Sequence, residues 1–394
     1  MRHVSDEERR ARLAVRHALA PAFYLDSPEA ATRAMTVLHA TEPATVYLSC
    51  WARVGSVEVT DVDRALYDDR SLVKQLAMRR TLFVFPRELL AAAWPSASAR
   101  VAGIERKRLS KDAVRAGLAE DGDDWLDRAR AEVLEVLADA PEGRPAREVR
   151  QAVPMIDVKV EARSFAAGSA SVAPASRVLT HLGATADIVR GTNAGHWRTS
   201  RPRWTLMRHW LEDVPVPLSA EDGYREIVRR WLYTFGPGTE DDLVWWLGAT
   251  KTVVRAALAE LDAVAVSLDR GGSGWLLPDD LDEVTDPGPW VALLPVLDPT
   301  VMGWKERDFY LGTAKLREQL FDRNGNAGTT AWVDGRVVGC WVQDDSGVVE
   351  VRLLERVSAH ARRALDADAA RLTAWLGGVS IRTLVPSPAM KSRP

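Results

Sequence analysis

Over the first hundred residues, apolar positions recur at helical spacing in short segments, and each segment opens with a recognisable start signal. Ser5 followed by Asp6, Glu7 and Glu8 places a capping side chain and three acids at the positive end of a helix that runs through Arg9 to Ala20, where Pro21 stops it. Ser27-Pro28-Glu29-Ala30 sets an N-cap before a proline at the first helical position and predicts a helix over 30–40. Pro43 and Thr60-Asp61-Val62-Asp63 open two more short helices. The period then changes. Leu72 to Met78 and Thr81 to Phe85 are rich in β-formers and predict a two-stranded ribbon that turns at Arg79-Arg80, and Pro86-Arg87-Glu88-Leu89-Leu90 starts another helix. Helices followed by such a ribbon make the winged-helix plan, in which one helix can enter a DNA groove and the ribbon touches the backbone.

The same plan recurs along the chain. Helical patterns at 123–139, 145–153 and 173–183 precede a second ribbon, read from Ala186 to Arg190, His196 to Arg198 and Trp204 to Leu206, with Gly191-Thr192-Asn193-Ala194-Gly195 as a mobile turn at its tip. A third copy runs from Gly223 to Ile227, through Gly238 to Trp246 and Thr250 to Leu258, and ends in short strands at Val264 to Ser267 and Trp275 to Leu277. The copies share pattern rather than sequence. From Trp290 the chain becomes strand-rich, with the hairpin signal Asp334-Gly335 between alternating apolar runs. A helix over 359–375 and a basic tail from Lys391 to Pro394 close it. The expected fold class is α+β, with winged-helix units at 1–97, 98–215 and 216–288 and a small β-rich C-terminal domain at 289–394.

Composition narrows the function classes. The 394 residues are 46% hydrophobic and 27% charged, too many for one compact core. No stretch reaches the roughly 20 uninterrupted apolar residues of a membrane span. The N-terminus carries charge where a signal peptide needs an apolar centre, so a cytoplasmic protein is expected. Cys50 and Cys340 are too few for a disulfide framework, and the seven histidines lack metal-ligand spacing, so neither metal nor cofactor is expected. The formal net charge is −3, but it is unevenly spread: residues 211–300 hold 17 acidic and 6 basic side chains, which leaves the rest net positive. The 15 Trp outnumber Phe and Tyr combined, and an indole either fills core or stacks on bases.

Six segments carry a resemblance by their order and spacing. They are Val37 to Pro43, Ser49 to Arg53, Met78 to Phe85, Gly236 to Asp242, Leu294 to Lys305 and Val333 to Trp341. Together they resemble a bacterial family of tandem winged-helix proteins that includes the DNA glycosylases protecting producers of DNA-alkylating antibiotics. The resemblance covers most of the chain. It implies three winged helices wrapped in a C shape around duplex DNA, finished by the β-rich domain. Glycosylases of the family carry Gln-x-Gln or Gln-x-Asp at the end of their second helix, where this chain has His39-Ala40-Thr41. The two polar side chains are thought to position water against the sugar carbon as the damaged base leaves. A base alkylated at a ring nitrogen is already cationic and departs without much acid help. The roles implied here are therefore His39 accepting the proton of the water, Thr41 holding it in register and Glu42 stabilising positive charge on the sugar. On that basis the rate falls as His39 is protonated, below about pH 6.5. The alternative for His39 is a helix-terminal residue bonded to a carbonyl. The motif holds no lysine, which argues against a Schiff-base lyase step.

Basic segments supply the candidate DNA contacts. Arg190, His196, Arg198, Arg201 and Arg203, followed by Arg208 and His209, alternate with Trp197, Trp204 and Trp210 and are opposed only by Asp187. Arg79 and Arg80 take the turn of the first ribbon, the position that favours backbone contact. Arg100, Arg106, Lys107, Arg108 and Lys111 lie on one helix with a single acid, Glu105, and suit either DNA or a solvated face. Asp298 reads as a turn starter before Pro299 or as a site carboxylate, and Trp245-Trp246 as core. The expected function is a monofunctional DNA glycosylase that releases alkylated or bulky-adducted purines from double-stranded DNA, acting as a monomer. The alternative is a non-catalytic winged-helix DNA-binding protein or regulator.

Overall fold

The computed structural model describes residues 1–160 and 174–391 and is of mixed α and β structure. The N-terminal half of the 173–183 helix signal is described from residue 174, and the end of the basic tail lies outside the described residues. Thirteen described strands form three sheets of three strands and one of four.

The first sheet, β2-β4-β3, joins Leu38–His39 (β2), Leu72–Ala77 (β3) and Thr81–Pro86 (β4). Its ribbon turns where expected, with Arg79 and Arg80 both in the left-handed backbone region (φ 53° and 62°). Helix α1 (Asp6–Arg16) starts where the Ser5 hydroxyl accepts the Glu8 N–H. Helix α2 (Pro28–Ala34) starts the same way at Ser27, but ends six residues before the periodicity predicts. The cause is tertiary. The Thr234 hydroxyl, from a distant helix, donates to the Ala34 carbonyl and shares a hydrogen bond with the Thr36 hydroxyl. Thr36 turns left-handed (φ 64°), and the chain continues as β2. His39 therefore lies on a strand, not at a helix terminus. Helix α3 (Pro43–Trp51) follows.

The second region holds α4 (Ala99–Arg115), α5 (Gly122–Ala138) and α6 (Ala175–Ala184) against the sheet β5-β7-β6, formed by Arg144–Pro145, Pro202–Leu206 and Ile188–Asn193. Its apolar positions, among them Leu109, Trp125, Ala129, Val133, Leu182 and Leu206, form a core of their own. Gly122 lets α5 meet α4, since a Cβ there would lie 2.0 Å from the Ser110 carbonyl oxygen.

Helices α7 (Ala220–Phe235), α8 (Glu240–Leu247) and α9 (Lys251–Glu260) are capped by Ser219, Thr239 and Thr250. They precede β8 (Val264–Leu268) and β9 (Ser273–Leu276). The third strand of that sheet is β1 (His3–Val4), paired parallel to β8. Arg12, bonded to Glu8 and Asp280, anchors α1 to the same region. His3 and Val4 thus join the third sheet, while Leu13 and Ala14 of α1 lie in the core that includes the first sheet. The last sheet, β10-β11-β12-β13, contains Val291–Leu294, Thr330–Val333, Arg336–Gln343 and Val349–Leu353, with the Asp334-Gly335 turn in place, and α10 (Ala359–Leu376) lies across it.

One large core joins the first sheet, the α7–α9 region and the C-terminal region. At its centre Arg53 and Asp298 form a fully buried ion pair with two bonds of 2.7 and 2.9 Å. Asp298 also accepts from Ser49 Oγ and caps the helix Pro299–Met302 through Thr300 N–H. Burial opposes ionisation of Asp298, but Arg53 prevails and keeps its carboxyl below the usual range. His17, bonded to Thr300 and to the Thr234 carbonyl, extends the network, and burial followed by Arg53 lowers it to about 3. Asp298 is thus a structural counter-ion rather than a site carboxylate. The segments Ser49 to Arg53 and Leu294 to Lys305, singled out in the sequence, meet in this pair.

Cys50 and Cys340 are free and buried. Among the described residues no helix is long and apolar enough to cross a membrane, and no group of three His, Cys, Asp or Glu side chains is placed to hold a metal ion.

Candidate active site and nucleic-acid interface

His39 pairs with Phe83 across β2 and β4, and Phe83 pairs with Gln75 on β3. Directly opposed residues of antiparallel strands share a face, so His39, Phe83 and Gln75 form one row. The Phe83 ring meets the imidazole edge-on at 5.3 Å. His39 Nδ1 accepts a long bond, 3.4 Å, from the Thr41 backbone N–H. That bond assigns the proton to Nε2. Nε2 makes no hydrogen bond to the described residues, and it is not sealed from solvent. Burial, with Arg79 adding to it, lowers His39 to about 3. The imidazole is therefore neutral at physiological pH, in a residue only 6% exposed, and its Nε2–H has no partner among the described residues. Accepting the proton of the water, the role expected of His39, would work against that burial, and a ring held this low titrates well below pH 6.5.

The other two motif residues separate. Thr41 is exposed and meets His39 only through its backbone. Glu42 is buried, and its Oε1 accepts from Leu384 N–H at 2.8 Å and from Thr383 Oγ1 at 3.2 Å. The carboxylate expected to stabilise the sugar is held by the C-terminal segment instead. Gln75 escaped the sequence reading, although a buried amide on a ribbon was its signal. Its Nε2 donates to the carbonyl of Gly183 on α6 and to Ser98 Oγ, and its Oε1 accepts from Trp94 Nε1. It ties the row bearing His39 to the second region.

The second ribbon departs from expectation. Gly191, Thr192 and Asn193 belong to β6, and the Asn193 side chain ties the loop 194–201 by bonds to Arg201 N–H and to the carbonyls of Gly195, His196 and Thr199. Trp197 lies between Tyr47 (5.1 Å) and Trp375 (5.8 Å), so the tip is docked on α3 and α10 rather than free. Arg198 donates to the Ser380 carbonyl. Arg203 donates to the carbonyls of Glu142 and Gly143 at 3.0 and 2.6 Å. Arg190 is half-buried over the Trp204 ring, and burial lowers its pKa. Among the described residues of this segment, Arg201 and Arg208 expose guanidinium groups that make no ion pair or hydrogen bond, while the His196 ring lies beside Trp197 and accepts from the Arg198 N–H at 3.4 Å.

The first ribbon is split. Arg80 pairs with buried Glu105 at 3.2 Å, which also holds Arg108. Arg79 stands 3.9 Å over the Trp245 ring with no acidic partner. On α4, Arg106 is taken by Asp123 and Asp127, and Arg100 by the Gly248 carbonyl, while Lys107 and Lys111 stay exposed.

A family described as DNA glycosylase AlkZ-like matches residues 32–375. The chain belongs to the AlkZ-like DNA glycosylase family. The resemblance read from the six segments is thereby shown, and with it a place among DNA-binding, DNA-repair hydrolases. The fold is similar to that of Streptomyces sahachiroi DNA glycosylase AlkZ, with a TM-score of 0.74 and 19% identity over 95% of this chain and 98% of that one. No curated protein matches the chain.

Proposed function

We propose that this family member is a monofunctional glycosylase that hydrolyses the N-glycosidic bond of alkylated or bulky-adducted purines in duplex DNA. It acts as a monomer, with three winged-helix units, divided near residues 97, 215 and 288, curved around the duplex. The observation that carries the reading is the unpartnered Nε2–H of a neutral His39 at the position where glycosylases of the family carry glutamine. A glutamine amide presents the same kind of donor. With a base that leaves as a neutral molecule from a cationic adduct, the sugar needs an aimed water more than a strong base, and an uncharged donor does not oppose an oxocarbenium-like centre. Thr41, exposed two residues on, is the second polar group of the motif. The lysine of the first sheet, Lys74, pairs with Val84 one register position from the His39 row and so points to the opposite face, which favours hydrolysis over Schiff-base chemistry. Glu42, turned to the C-terminal segment, favours the second reading, a DNA-binding protein without catalysis.

The test is incubation with duplex containing N7- or N3-alkylated purine, scored for released base and an alkali-labile abasic site. His39→Ala should slow release by about 10²-fold with DNA affinity retained, and the double variant His39→Gln, Thr41→Gln should keep or raise it. Binding without release, by both wild type and the double variant, would replace the enzyme by the DNA-binding protein.

A further inference from the structure

Arg307, just ahead of the short helix Asp308–Leu311, is 4% exposed and has no carboxylate within ion-pair distance among the described residues. Its Nε donates to the Trp304 carbonyl at 2.7 Å, and one terminal nitrogen reaches only the Met302 sulfur at 3.9 Å. The guanidinium lies over Phe321 (4.6 Å) and over Trp245 (5.0 Å). Its remaining nitrogen, Nη1, has no partner and is not sealed from solvent. The same indole carries Arg79 at 3.9 Å. Gly248 makes room for it, since a Cβ there would sit 3.1 Å from Arg79 Cγ. Two cations from segments more than two hundred residues apart thus share one ring without an acid. Asp242, whose charge acts on Arg307 without pairing with it, is occupied by the backbone N–H groups of Lys305, Glu306 and Thr239. Burial lowers both arginines, and Arg307 lowers Arg79 further.

Bringing two like charges together in this way is unfavourable until an anion joins them, and the unpartnered Nη1 of Arg307 and the guanidinium of Arg79 can each donate to an oxygen of a phosphate. Arg79 turns the same ribbon whose Phe83 pairs with His39, which puts the pair at the sheet of the candidate site. We propose that Arg79 and Arg307, held on Trp245, clamp one backbone phosphate of duplex DNA next to the nucleotide presented to His39. The proposal rests on the reading of His39 as facing the damaged strand. It assigns a DNA contact to the C-terminal region, where the sequence marked none.

The test is a binding scan on a duplex with a stable abasic-site analogue, in which successive phosphates near the lesion are replaced one at a time by neutral methylphosphonate. Wild type should lose about tenfold in affinity at one position. Arg307→Ala should bind about tenfold more weakly than wild type, lose nothing more at that position, and show a slope of log affinity against log salt smaller by about one. Arg307→Lys, with charge but without the planar group held on the Trp304 carbonyl and the two rings, should recover the slope and only part of the affinity. Should Arg307→Ala fold poorly, Arg79→Ala, at an exposed turn, answers the same question. A variant that loses as much as wild type at every methylphosphonate overturns the clamp. So does a flat scan in which inorganic phosphate raises the melting temperature of wild type but not of Arg307→Ala, since that marks a site for free phosphate. Absence of base release with the position-specific loss intact would sink the glycosylase reading and leave the clamp standing.

Discussion

The two ribbons carry similar arginine signals and use them in opposite ways. On the second, Arg198 and Arg203 bond to backbone carbonyls of their own chain, and Trp197 is docked between Tyr47 and Trp375, so the ribbon works as a strap between regions. On the first, Arg80 is paired but Arg79 rests on an indole with no acid and a second cation nearby. What separates them is the internal partner of each guanidinium. A cation satisfied inside the protein contributes to folding, and one left without a partner is available to DNA. Counting arginines along a ribbon measures neither.

The largest effect should appear where an internal partner is deepest. Arg53→Ala leaves the Asp298 carboxylate buried without a counter-charge and should destabilise the fold by about 3–5 kcal/mol in denaturant titrations. A loss below about 1 kcal/mol would break the rule. Next, Trp197→Ala should undock the strap, with a loss of about 2 kcal/mol and new protease cutting within 194–201. Unchanged resistance to cutting would show that the tip is held by something other than that ring.

A sharper test compares two arginines of the same ribbon. Arg203→Ala should lower stability by about 1 kcal/mol and leave DNA affinity nearly unchanged, whereas Arg201→Ala should leave the melting temperature alone and reduce the salt slope by about one. The reverse pattern would return the second ribbon to the DNA interface as first read.

A pH-dependent effect lies on the sheet of the first ribbon. Because the folded protein holds His39 near 3 against an ordinary value of 6.5, the unfolded chain takes up a proton that the folded one refuses as pH falls through that window. Stability should decline from pH 6.5 towards 3, and His39→Gln should make the decline shallower. The excision rate should stay level through pH 6.5. A rate that halves there would return His39 to the role of proton acceptor.

Legibility followed the range of each interaction. The caps Ser5 and Ser27 were readable because a side chain and a backbone N–H three residues apart decide them. The Asp334-Gly335 and Arg79-Arg80 turns were equally local. The end of α2 was not, because Thr234 closes it from two hundred residues away. Nor was the fate of Glu42, which depends on Thr383 and Leu384.

By itself, then, the sequence determined where helices begin, where ribbons turn, the α+β class and the family, all of which rest on spacing along the chain. The tertiary structure alone decided which polar groups remain available. It joined Arg53 to Asp298, brought Arg307 to the ring that carries Arg79, fastened the second ribbon and left Nε2 of His39 open. The reason is physical: a charge or a donor keeps its free energy for a ligand only when no partner reaches it, and partners arrive through folding from anywhere in the chain.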